Sequence, residues 1–132
     1  MMPAAVATGL KQIHCDDVSV PEIEPGKALV KTRLASICGS DLHIVYMGWN
    51  ADEFPLPHGY PGHEGIGLVV DEGDTDLTPG QLVLTVPNIW SSRVFAGHQL
   101  IDPRFLLPLP DKVPESHLFC LLYTSDAADD TP

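Results

Sequence analysis

Apolar positions along this chain come in short runs that alternate with polar ones, and most runs are closed by proline or glycine. Val6 to Leu10 and Lys11 to Val18 read as the two arms of a hairpin, after which "VPEIEPGK" carries two prolines and a Pro-Gly turn. "ALVKTRLASI" has strand composition with mixed alternation. "IGLVVDE" is the clearest strand, and an acidic turn and the Pro79-Gly80 step lead from it into "QLVLTV". "RVFAGHQLI" and "FLLPLP" supply two more, the proline in the second pointing to an edge or exit strand. "LHIVYM", ended by Gly48, is the one stretch that reads as a helix, one or two turns long, with Ser40 and Asp41 as N-cap chemistry. Trp49 to Tyr60 reads as a long irregular loop. The succession predicts a mainly β fold, a small, partly open β-barrel with one short helix.

Composition narrows the function classes. A chain of 132 residues with 44% hydrophobic positions suffices for one domain with a real core. Thirteen prolines and eleven glycines spread along it argue against a helical bundle. A net charge of -11 with only seven Lys and Arg argues against nucleic acid and against an anionic membrane surface. No apolar run approaches the roughly 20 residues of a membrane span, and "MMPAAVATGLK" has no basic segment before its apolar stretch. Three cysteines without a Cys-x-x-Cys pair make no disulfide framework. These features together lead to the expectation of a soluble cytoplasmic protein. The terminal "TSDAADDTP" reads as solvated and disordered.

Two stretches carry the candidate chemistry. "ICGSDLH" sets Cys38, Ser40, Asp41 and His43 within six residues, and "GYPGHEGIG" sets His63 beside Glu64 in a glycine-rich frame. A catalytic zinc site takes three protein ligands from Cys, His and acidic residues and leaves a fourth position open, so Cys38 and His63 are candidate ligands from two loops. In extended backbone adjacent side chains point to opposite faces, so Glu64 joins His63 on one metal only where the chain bends. Simpler readings stand beside these: a lone cysteine is most often a small buried hydrophobe, and Ser40 and Asp41 serve equally as helix caps. His14, His58, His98 and His117 read as surface residues, and Cys15 as a packed or idle thiol.

"CGSDLH", followed by "PGHEGIGLVVDEG" and then "PGQLV", resembles the N-terminal GroES-like catalytic domain of the medium-chain zinc-dependent alcohol dehydrogenases, over about Met2 to Phe119. The resemblance implies that Cys38 and His63 are ligands of one catalytic Zn²⁺, with Glu64 a conditional third. It implies that Ser40 takes a proton from the substrate alcohol, that His43 passes it to solvent, and that Asp41 orients the ligating histidine. Trp49, Phe54, Ile89 and Trp90 fall where family members line the substrate pocket. "NIWSSRVFAG" lacks the four-cysteine lobe of many members, so no structural zinc is expected. Gln81 replaces the aspartate usual after the Pro-Gly turn.

The electron acceptor would be NAD or NADP, held in the longer enzyme by a Rossmann domain. The nearest approach to its Gly-x-Gly-x-x-Gly turn, "GHEGIG", lacks the middle glycine and precedes a strand, so that domain is expected to be absent here. The implied organisation is a truncated catalytic domain over residues 1–119 and a tail over 120–132 that reads as translated sequencing-adapter DNA, so Cys120 does not count as a ligand. The implied substrate is a small alcohol, polyol or sugar, the whole enzyme a homo-oligomer, and the piece inert by itself. The alternative is a non-catalytic GroES-like interaction module.

Overall fold

The computed structural model describes residues 1–49, 51–88 and 90–118. Among the described residues, seven strands form two sheets. β1 (Met2–Gly9) and β2 (Gln12–Val18) make the expected hairpin, and β3 (Ala28–Ser36), β4 (Glu64–Asp71), β5 (Leu82–Thr85), β6 (His98–Ile101) and β7 (Leu106–Pro108) form a sheet ordered β6-β3-β4-β5-β7. All pairings are antiparallel. The fold is mainly β with open sheets, as the pattern of short apolar runs predicts, and no nucleotide-binding Rossmann unit lies among the described residues.

β4 is central because it is apolar on both faces. Ile66 packs with Leu109 and Leu118 on one side, while Val69 packs with Val30, Val83, Ile101 and Leu106 on the other. Such a strand must be covered twice, which is why "IGLVVDE" reads as a nearly continuous apolar run. β7 lies at the sheet edge, where the Pro108 ring costs no ladder hydrogen bond. The hairpin is stitched to the main sheet by residues 94–97: Ala5 N donates to Phe95 O (2.8 Å), Gly97 N to Pro3 O (2.9 Å), and Thr32 N to Gly97 O (2.9 Å).

Three sequence expectations need correction. The run "RVFAGHQLI" becomes a strand only from His98, because its first half spends its backbone groups on the stitching bonds, with one bridge between Ala96 and Ala4. The helix, α1 (Gly39–Val45), starts earlier than expected. Its N-cap is Cys38, and Asp41 sits at the third helical position, with its Oδ2 accepting from Cys38 N at 2.8 Å. α1 is not the sole helical segment, since residues 115–118 are helical and two 3-10 turns, Ala51–Glu53 and Pro103–Phe105, interrupt the loops. The buried face of α1, Ile44 and Val45, packs on Ala7, Leu56 and Tyr60. The tail over 120–132, including Cys120, and Ile89 lie outside the described residues.

β3 and β4 approach too closely at Gly67 for a side chain: a Cβ there would come within 2.5 Å of Val30 Cγ1 and 2.6 Å of Lys31 O. Gly67→Ala is therefore expected to destabilise the chain by about 1–3 kcal/mol. Gly39→Ala, where a Cβ meets nothing within 4 Å, should be neutral or stabilising by up to about 1 kcal/mol at the helix start. Urea unfolding of the two variants beside the parent checks both signs.

Candidate metal centre and adjoining pocket

The site follows from the pairing of β3 with β4, in which Ser36 stands opposite Glu64. Cys38 lies two residues past Ser36 and His63 one residue before Glu64, so the two loops that carry the candidate ligands leave the sheet at the same corner. Side-chain atoms of Cys38, His63 and Glu64 all lie within 4.8 Å of one another, and all three residues are buried. His63 precedes the first strand residue, which is how its side chain and that of Glu64 reach the same point despite being neighbours. The loop before it runs flat against residues 93–96: Val94 N donates to Gly62 O (3.1 Å), and a Cβ on Gly62 would sit 2.5 Å from the Phe95 ring.

Hydrogen bonds fix the imidazole. His63 Nδ1 donates to Pro61 O at 3.0 Å and lies 3.1 Å from Asp41 Oδ1, and neither oxygen can donate, so Nδ1 carries the proton. Nε2 then keeps its lone pair and faces Ser40 Oγ at 3.1 Å. Ser40 Oγ is also 3.3 Å from Cys38 Sγ, and its single hydroxyl proton cannot go to both neighbours at once. Burial pushes the His63 imidazolium down, but the Asp41 carboxylate and Pro61 carbonyl beside Nδ1, acting as acceptors, and the charges of Asp41 and Glu64 outweigh it, leaving the pKa above the ordinary histidine value. Glu64 Oε2 accepts from Ser36 Oγ at 2.8 Å, so the serine opposite in the ladder holds the carboxylate.

This donor set passes a chemical test for zinc. One thiol sulfur, one imidazole nitrogen with its proton held on the far side, and one carboxylate converge in a buried corner, and that combination suits Zn²⁺ better than a hard cation such as Ca²⁺ or Mg²⁺. The alcohol dehydrogenase GroES-like domain family matches residues 24–106. The chain belongs to this family.

It is also similar to individual proteins. The chain is 45% identical over 91 residues to the L-threonine 3-dehydrogenase of Chelativorans sp. (strain BNC1), a match that covers 63% of this chain and 25% of that protein. It is 36% identical over 113 residues to an alcohol dehydrogenase of Cupriavidus necator, covering 81% and 30%. Among solved structures, 2R,3R-butanediol dehydrogenase from Bacillus subtilis superposes with a TM-score of 0.74 at 23% identity over 89% of this chain and 43% of that one, which shows the fold alone. The chain thus spans between 25% and 30% of the length of these curated relatives.

Within this GroES-like domain a pocket of about 670 Å³ opens beside the ligand group, bordered by Cys38, Ser40, His43 and, across from them, Val86 to Asn88 and Phe105. Trp49 and Trp90 line it, but Phe54 does not: its ring packs on the cluster of Ile44, Val45, Leu56 and Tyr60 beneath the helix. His43 stacks on Trp49, ring centres 4.6 Å apart and planes within 8°, and its Nδ1 is 2.8 Å from Met47 Sδ. His14, His58 and His117 are exposed, as is Cys15. His98 departs from the surface expectation, being half-buried with its Nδ1 enclosed. Ser36, Val86, Pro87, Asn88 and Phe105 escape sequence reading because nothing local marks them. Only the strand register and the chain reversal after β5 bring them to the site.

Asp41 joins both ligand loops, and its loss has two separable effects. Asp41→Ala leaves the buried Cys38 N–H without its acceptor, which should cost about 1–3 kcal/mol, while Pro61 O still serves His63. Asp41→Asn keeps an oxygen for Cys38 N and should cost less. Both should weaken zinc binding by about 10–100-fold. Urea unfolding of the metal-free chain and competitive zinc titration measure the two effects independently.

Proposed function

We propose that this chain is the zinc-binding, substrate-binding part of an NAD(P)-linked dehydrogenase acting on a small alcohol, polyol or sugar, with residues 1–119 as the truncated catalytic domain. The observation that carries the reading is the convergence of Cys38, His63 and Glu64 within 4.8 Å, with Ser40 in hydrogen-bond range of two of them, beside an uncharged, indole-lined pocket. Family membership supports it, as do relatives described as alcohol and L-threonine dehydrogenases.

In this mechanism Cys38, His63 and Glu64 would hold the metal, which would supply Lewis acidity that lowers the pKa of an alcohol in the adjoining pocket. Asp41 fixes the His63 tautomer so that Nε2 stays available. Ser40 Oγ accepts the substrate's hydroxyl proton as its own leaves, and His43, on the same pocket wall and half-exposed, carries a proton onward to solvent. An imidazole suits a group that must both take and release that proton, because its ring nitrogens serve as donor and as acceptor. Trp49 and Trp90 cover the apolar part of the substrate. Hydride acceptance would be the part of an NAD(P) cofactor, for which the described residues provide no binding unit. The chain alone should therefore bind metal and reduce no NAD(P).

Two experiments test this. Cobalt titration of the chain should produce a thiolate-to-metal charge-transfer band that Cys38→Ser abolishes. His63→Ala should lower affinity by more than the about 10–100-fold expected for losing a supporting partner. Absence of the band, or indifference to both substitutions, would favour a non-catalytic GroES-like module instead. In the full-length enzyme Ser40→Ala should lower kcat by about 10²–10⁴-fold while leaving zinc content unchanged, and an unchanged kcat would remove Ser40 from the relay.

A further inference from the structure

A second concentration of chemistry lies outside the metal corner and runs against the charge of the chain. Two clefts of about 320 and 250 Å³ share Lys27, Arg93 and Leu100 and so form one groove. The chain has 18 acids and seven Lys and Arg, yet three of those seven, Lys27, Arg93 and Arg104, border this groove. Two of the three are neutralised where they stand: Lys27 Nζ is 2.8 Å from Glu24 Oε2, and Arg104 Nη2 is 2.9 Å from Asp102 Oδ2.

Arg93 is different. It pairs with no carboxylate among the described residues, its guanidinium lies 5.5 Å from the centre of the Tyr60 ring, and its Nη1 is buried without a hydrogen-bond acceptor. The residue is firmly based, because its backbone N donates to Gln99 Oε1 (3.0 Å) and Gln99 Nε2 donates in turn to the Thr85 hydroxyl (3.0 Å). Burial pushes the guanidinium down from its ordinary value, only partly offset by Tyr60, as expected for a cation that lacks a counter-charge. A planar donor fork held this way matches a carboxylate. His98, also on the groove, is pushed down by burial, Lys31 and the N-terminus, so it adds no second positive charge near neutral pH.

The geometry points to a binding site for a small organic monocarboxylate, its carboxylate on the Nε–Nη2 edge of the Arg93 guanidinium, away from the enclosed Nη1, and its short aliphatic part along Val18, Pro21 and Leu100. A single negative charge fits, because Arg93 is the one Lys or Arg lining the groove without a carboxylate partner. A phosphate dianion would also face the Glu24 and Asp102 carboxylates on the same rim. The site is separate from the metal corner and does not depend on the proposed function.

The test follows arginine Nε–Hε signals of the isotopically labelled chain during titration with butyrate, acetate, inorganic phosphate and chloride at matched ionic strength. Butyrate should shift the Arg93 signal saturably, more tightly than acetate and at least about tenfold more tightly than phosphate or chloride. Arg93→Gln should abolish the saturable shifts at the Gln99 and Leu100 amides. Arg93→Lys, which keeps the charge and loses the fork, should weaken binding by about tenfold. Melting of each variant without ligand reports its folding. No saturation, an equal response to phosphate or chloride, or unaltered binding in Arg93→Gln or Arg93→Lys would overturn the proposal.

Discussion

The antiparallel register that sets Ser36 opposite Glu64 is the constraint on which the rest of the site depends. It makes the end of β3 and the start of β4 coincide, so two loops 25 residues apart in sequence leave the sheet side by side with Cys38 on one and His63 on the other. A slip of one residue would turn Glu64 to the opposite face and carry His63 away from Cys38. The register is held by burial rather than by the polar residues that use it. β4 has Ile66 locked into one apolar cluster and Val69 into another, and a slip would exchange both faces at once. Bulges after Leu29 and after Thr32 let β3 follow β4 through its twist without losing that alignment at the functional end.

Local polar structure then converts proximity into orientation. One carboxylate, Asp41, uses Oδ2 to hold the Cys38 backbone and Oδ1 to face His63, so the start of α1 and the tautomer of the candidate ligand are set by the same side chain. Ser36 does the equivalent for Glu64 from across the ladder. Each of these bonds is buried or half-buried, where a missing partner costs more than a formed bond contributes. The arrangement is therefore stiff before any ligand arrives.

Much of this was legible in the sequence, and the parts that were not share a cause. Strands whose faces are decided by burial, such as "IGLVVDE" and "QLVLTV", announce themselves by composition, and the Gly-His-Glu and Cys-Gly-Ser-Asp elements mark the family. The helix start was misread because Ser40 and Asp41 look like caps, whereas Cys38 takes that position once Asp41 is drawn to the third position by its bond to Cys38 N. Phe54 looked like a pocket residue by its place in the chain but is claimed by the cluster under α1. "RVFAG" has strand composition but no strand to pair with along its length, so it stitches instead. Ser36, His98 and Arg93 acquire their roles only from residues far away in sequence, and no local pattern encodes such a contact.

The two chemistries of the molecule also respond differently to its charge. A net charge of -11 raises the concentration of cations near the surface, which would favour metal loading of the candidate Cys38, His63 and Glu64 set. The same field opposes any anion approaching Arg93. At physiological salt the field of distant charges is screened beyond about 8 Å, so the local environment decides: Glu24 and Asp102 on the rim, and an unpaired guanidinium within. Attraction to one desolvated fork is then small against the rim repulsion felt by a dianion, but it suffices for a single negative charge whose apolar body gains burial along Leu100. Selectivity in that groove would come from what the rim repels as much as from what Arg93 attracts.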